Sequence, residues 1–196
     1  MRTRSLLFYL FALPAVAFAD ASDGQFMGYE LGTGYPEMSQ AGEGTTTGNL
    51  LIVAEKPVKP TDIKQVSVVA TPVTRTVGYI SAASWFATEG EARESARRYV
   101  ELLRAKYPDW SFGGEVMDAS LRIVEVNLDK APYNLKLRLG RDAHEGREMW
   151  RFSMGLGWQP NSKEWQAWQD MSETEKSAGK TIEHEQILKD SDVRGL

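Results

Sequence analysis

Apolar and polar positions alternate along three stretches in the second half of the chain, and this alternation sets the register of the expected strands. Within Glu148–Trp158, Trp150, Phe152, Met154, Leu156 and Trp158 alternate with Met149, Arg151, Ser153, Gly155 and Gly157. A period of two is the mark of a strand with one buried face, so the even-numbered set is assigned to the core. Leu121–Leu128 and Tyr133–Leu139 alternate in the same way around the turn Asp129-Lys130-Ala131-Pro132. That turn pairs Leu128 with Tyr133, Val126 with Leu135 and Val124 with Leu137 on the apolar face. On the polar face it sets Glu125 against Lys136 and Asn127 against Asn134. A slip of one residue would mix the two faces.

Three earlier runs, Leu50–Glu55, Ile63–Thr71 and Thr76–Phe86, are rich in Val, Ile, Thr and aromatic residues and are separated by Pro57, Pro60 and Pro72. They read as strands, the last two as a hairpin through residues 71–75. Gln25–Gly32 is a shorter candidate strand. Residues 33–49, with Gly34, Gly42, Gly44 and Gly48 and with Gly32 just before them, read as a long glycine-rich connection. Gly113 and Gly114 mark a second loop.

The period changes to that of a helix between about Glu89 and Lys106. Ala92, Ala96, Tyr99, Val100, Leu103 and Tyr107 form one apolar stripe, and Arg93, Glu94, Arg97, Arg98, Glu101 and Arg104 occupy the rest. Thr88 with Glu91 has the spacing of a capping box, and Pro108 ends the helix. Pro160-Asn161-Ser162 starts a second, short helix carrying Trp165 and Trp168 on one face. Residues 172–196 turn polar and read as a frayed helix or flexible tail. The expected fold is α+β: an antiparallel sheet of about six to seven strands, with an arrangement as two meanders left open, one long amphipathic helix on a face and a short C-terminal helix.

The first residues change the picture of where this fold works. Arg2 and Arg4 precede an apolar run from Leu6 to Ala17 that closes on Ala17-Phe18-Ala19. This is the pattern of a secretory signal peptide cut after Ala19, and the run is too short for a membrane span. A periplasmic or secreted protein is expected, with a single domain over residues 20–171 and no stable membrane anchor. The sequence has no cysteine, which excludes disulfides, thiol catalysis and a lipoprotein anchor. Loss of the leader makes the chain two units more acidic than its formal net charge of −4. Such a balance gives no support to nucleic-acid binding.

Candidate chemistry is sparse. The glycines of residues 32–44 lack the Gly-Lys-Ser/Thr and the helix start of a phosphate loop. His144 in a hairpin turn and His184 in the polar tail are poor material for a zinc site or a triad. Asp118, Glu125, Asp129, Glu145 and Glu148 lie near strand ends without singling out a catalytic pair. Neither a metal nor a cofactor is expected. Lys136, Arg138 and Arg151, with Arg122 nearby, should form a basic stripe on the polar face of the sheet. Six tryptophans, at positions 85, 110, 150, 158, 165 and 168, offer either core seals or a contact rim. Trp165, Trp168, Arg138, Arg151 and Lys136 are therefore the candidate ligand- or partner-binding residues. The leading expectation is an exported, non-catalytic binding module of a bacterial envelope, whose partner is an envelope protein or small ligand. The alternatives are an exported hydrolase of an envelope polymer, using carboxylates or His144, and an inhibitor of a secreted hydrolase that inserts loop 33–48.

Overall fold

The computed structural model describes residues 23–35, 40–54, 59–118 and 123–193. The leader expected at residues 1–19 lies outside them, as does Arg122. Ten strands and two helices follow in the order β1 (Gln25–Phe26), β2 (Tyr29–Glu30), β3 (Gln40–Thr46), β4 (Asn49–Ala54), β5 (Gln65–Ala70), β6 (Val77–Phe86), α1 (Glu89–Lys106), β7 (Ser111–Asp118), β8 (Ile123–Lys130), β9 (Tyr133–His144), β10 (Arg147–Trp158) and α2 (Lys163–Val193). The fold is α+β. β1 and β2 form a small hairpin, and the other eight strands form one antiparallel sheet in the order β3-β4-β5-β6-β10-β9-β8-β7. Two meanders are thus joined edge to edge through β6 and β10.

The even residues of β10 point into the core as the alternation demands: Phe152, Met154 and Leu156 are essentially inaccessible and Trp150 is nearly so. Ile52, Val66, Val68, Ile80, Leu135, Leu137 and Leu139 continue this face across the sheet. α1 lies over β6, β9 and β10. The fully buried Ala92 lets its first turns come close, and Tyr99 stacks on Phe152 with ring centroids 5.2 Å apart. The cap is the one expected from sequence, since Thr88 accepts from the Glu91 amide and the Glu91 carboxylate accepts from the Thr88 amide. The Tyr99 hydroxyl and Arg98 both donate to Asp62, which ties α1 to the β4–β5 connection.

Three expectations need correction. First, the β8–β9 register is shifted by two residues: Leu128 faces Leu135, Val126 faces Leu137, Val124 faces Leu139 and Asn127 faces Lys136. The shift is even, so every side chain keeps its face. The turn shrinks to Ala131-Pro132 because Asp129 and Lys130 have partners that hold them in the ladder. Asn134 donates to Asp129, and Lys130 bridges Asp23 and Asp109. Second, part of the stretch 33–49 is β3, and the Gly113-Gly114 segment is β7. These are the two edge strands of the sheet, and each has an irregular register where its glycines lie. Edge strands pair on one side only and are commonly bulged, so they require less of their residues than central strands.

Third, the C-terminal helix is long rather than short, running through most of the segment read as a frayed helix or flexible tail. Its first turns lie across one end of the sheet. Trp168 is buried, donates from Nε1 to the Thr76 carbonyl at 2.9 Å and rests on Gly78. A Cβ at Gly78 would come within 2.1 Å of that indole, so glycine is required there by close approach. Further on, Ser172 donates to Asn49 at 2.6 Å. Glu175 accepts from the Val73 and Thr74 amides at 2.7 and 3.1 Å and from the Thr74 hydroxyl at 2.6 Å. α2 thereby clasps the β3–β4 and β5–β6 ends of the sheet.

Candidate functional site on the uncovered sheet face

α1 packs on one face of the sheet, and on the other Tyr79, Lys136, Arg138 and Arg151 are partly to largely exposed. The odd residues of β10 and the even residues of β9 face this way, so Arg151 and Ser153 come beside Lys136 and Arg138. β6, on the other side of β10, supplies Tyr79 and Ser81. Together these line a shallow cleft of about 270 Å³. Lys136, Arg138 and Arg151 are therefore brought together as the alternation implies. Trp165 and Trp168 belong to a different place: they stack on each other at 5.5 Å at the sheet end, with Trp168 in a structural role.

Tyr79 shapes the cleft. Its ring lies flat over β10, close enough that a Cβ at Gly155 would meet the hydroxyl at 1.7 Å. Gly155 and Gly157, the small members of the alternating run, leave this room. That pairing was the signal for Tyr79 in the sequence, but it is readable only once β6 is known to neighbour β10. Burial raises the Tyr79 phenol above its ordinary range, partly offset by the charges of Arg138 and Arg151 and reinforced by Glu125. Tyr79 is thus a neutral hydroxyl at neutral pH.

The cations are held in defined positions. Glu125 receives Arg138 at 2.6 Å and Lys136 at 3.7 Å. Burial pushes the Glu125 carboxyl upward, but the Arg138 bond, the two positive charges and a bond from Asn127 outweigh it and hold it below the usual range. Arg151 pairs with Asp142 at 3.2 Å, and its guanidinium lies 5.8 Å from the Trp85 ring centroid. With three cations against two carboxylates, the cleft keeps a positive excess of one. Trp85 Nε1 and Arg151 Nε are buried donors with no acceptor among the described residues.

His144 is the last residue of β9 and its imidazole stacks on Trp85, with centroids 3.9 Å apart and planes at 9°. It closes one end of the charged strip. The other acids weighed for hydrolysis are also engaged: Asp129 accepts from Asn134, Glu148 pairs with Arg141, and Glu145 lies 3.9 Å from His144. The Asp118 side chain lies outside the described residues. Among those described, no three acidic or histidine side chains are placed to hold a metal ion. What this face can do chemically is receive an anion: guanidinium and ammonium donors, three hydroxyls and an aromatic border converge on it. Compared with known protein families, curated proteins and solved structures, the chain matches none.

Proposed function

We propose that this protein is an exported binding module of a bacterial envelope that takes a carboxylate or phosphate group of its partner on the uncovered sheet face. The observation that carries the reading is the convergence of Lys136, Arg138 and Arg151 with Tyr79, Ser81 and Ser153 in one cleft. An arginine already oriented by a carboxylate loses little further freedom when it binds an anion, which favours recognition by geometry as well as charge. Export rests on the leader-like first nineteen residues. The hydroxyls and the Trp85–His144 stack add hydrogen bonds and an apolar border, the usual composition of a contact site.

The test is affinity capture from envelope extract with the chain from Asp20 as bait, beside an Arg138→Glu/Arg151→Glu variant. Both substitutions lie at half-exposed positions, so the fold should persist, and circular dichroism checks it. A partner retained by the normal bait and reduced at least tenfold by the charge reversal is the expected result. Capture that is equal for both baits removes the cleft from the interaction. Trp168 is unsuited as a control because its loss undoes the docking of α2, whereas Trp165→Ala reports on the neighbouring surface.

A further inference from the structure

α1 packs mainly on β6, β9 and β10 and reaches β7 through Arg104 over Phe112, and a groove runs along this side of the helix. It has a volume of about 330 Å³; Ala96 and Val100 line it from the helix, and Val126, Leu137, Leu139 and the deeply buried Phe152 lie beneath, with Arg138 between the two leucines. Arg138 apart, these side chains are apolar. The backbone beneath is occupied in the ladders of β8, β9 and β10. An occupant carrying its own amides would leave them without partners on this floor, at a heavy desolvation cost. A hydrocarbon chain carries none.

The rim has the opposite character. Arg93, Arg97 and Arg104 stand along the helix edge of the groove with one acid, Glu101, between the last two. Arg93 is bound to Glu89 at 2.7 Å. The Arg104 guanidinium carbon lies over the Phe112 ring, 3.7 Å from its centroid. A guanidinium placed over a ring still has N–H groups to donate to a carboxylate or phosphate. Arg97 is exposed, and no ion pair is formed by it among the described residues. We infer that this groove binds a fatty-acid-type amphiphile, a single acyl chain on the floor with its anionic head on Arg97 and Arg104. The volume stands at the lower end of small-ligand sites, roughly 300–1,000 Å³, which suits one chain rather than two. This site lies on the α1 side of the sheet, with Arg138 lining both it and the anion cleft of the opposite face, and its assignment does not rest on that cleft.

The experiment is calorimetric titration of the full chain with dodecanoate below its micelle concentration. Dodecyl phosphate, dodecyltrimethylammonium and butyrate serve as comparison ligands. Dodecanoate should bind, with butyrate and the cationic amphiphile each at least tenfold weaker. Arg97→Glu/Arg104→Glu should weaken dodecanoate at least tenfold, and the single Arg97→Glu should do so in part with Phe112 still covered. The relative strength of dodecanoate and dodecyl phosphate then tells which anionic head the rim prefers. Absence of dodecanoate binding, equal binding of butyrate or of the cation, or indifference to the arginine reversals would each overturn the assignment.

Discussion

Glu175 meets the β5–β6 turn with its charge already committed. Two backbone amides and a hydroxyl donate to one carboxylate that is only 9% exposed, so the group cannot be protonated without weakening all three bonds. Burial alone would raise its pKa, but these three bonds, with the Thr71 hydroxyl beside them, outweigh burial and hold it below the ordinary glutamate range. The sign follows from linkage. In the unfolded chain the group titrates at about 4.3, so its stabilisation is complete well above that pH and is lost as pH falls through the lower folded value. At pH 7, Glu175→Ala should lower the unfolding free energy by about 1.5–3 kcal/mol, the range for hydrogen bonds to a charged group. Urea melts of both proteins between pH 7 and pH 3 check this. The gap between them should close on the acid side, and a gap independent of pH would show that the charge is not what holds the turn.

The elements differ in how much of themselves they carry locally. α1 is complete in its own sequence: cap, apolar stripe and proline stop all lie within or next to Glu89–Lys106, and the structure reproduces each. Thr88→Ala removes one half of the capping box and should cost about 1 kcal/mol of stability by thermal or urea melting, since cap substitutions run at about 0.5–2 kcal/mol. Glu91→Gln, which keeps an acceptor for the Thr88 amide, should cost less. β10 and β9 are equally legible because burial on one face imposes alternation. Their register is less so, since a two-residue shift preserves both faces, and the side-chain partners of Asp129 and Lys130 decide between them. β3 and β7 were illegible for a different reason. At an edge, pairing with one neighbour supplies what glycine-containing sequences lack in strand propensity. The length of α2 is hidden in its sequence because polar residues dock it: Ser172 and Glu175 bind through hydrogen bonds rather than apolar area. Of the candidate site, the three cations were legible from alternation. Tyr79, Ser81 and Trp85 were not, because nothing local places β6 beside β10.

For the whole molecule, that same adjacency organises everything else. It joins two meanders into one sheet, continues the core beneath α1 and completes the cleft on the open face from both halves. Sixteen residues of ladder partners, from Trp150 opposite Phe86 to Gly157 opposite Tyr79, make the join. The meanders themselves are local, each strand pairing with the next along the chain. The β6–β10 seam instead waits for the end of β10 to be made and brought back across α1 and three strands. Closing a long loop before its contacts repay the entropy slows folding, so the seam should set the pace at which the native state is reached. Ile80→Val, in the seam, should slow refolding and give a φ-value above about 0.5. Glu175→Ala, in a clasp that can close only on finished turns, should leave refolding nearly unchanged and speed unfolding. Stopped-flow chevrons for the two variants would separate these limbs. During synthesis the first meander would therefore emerge with β6 as an exposed edge, and the last strand made is the one that covers it.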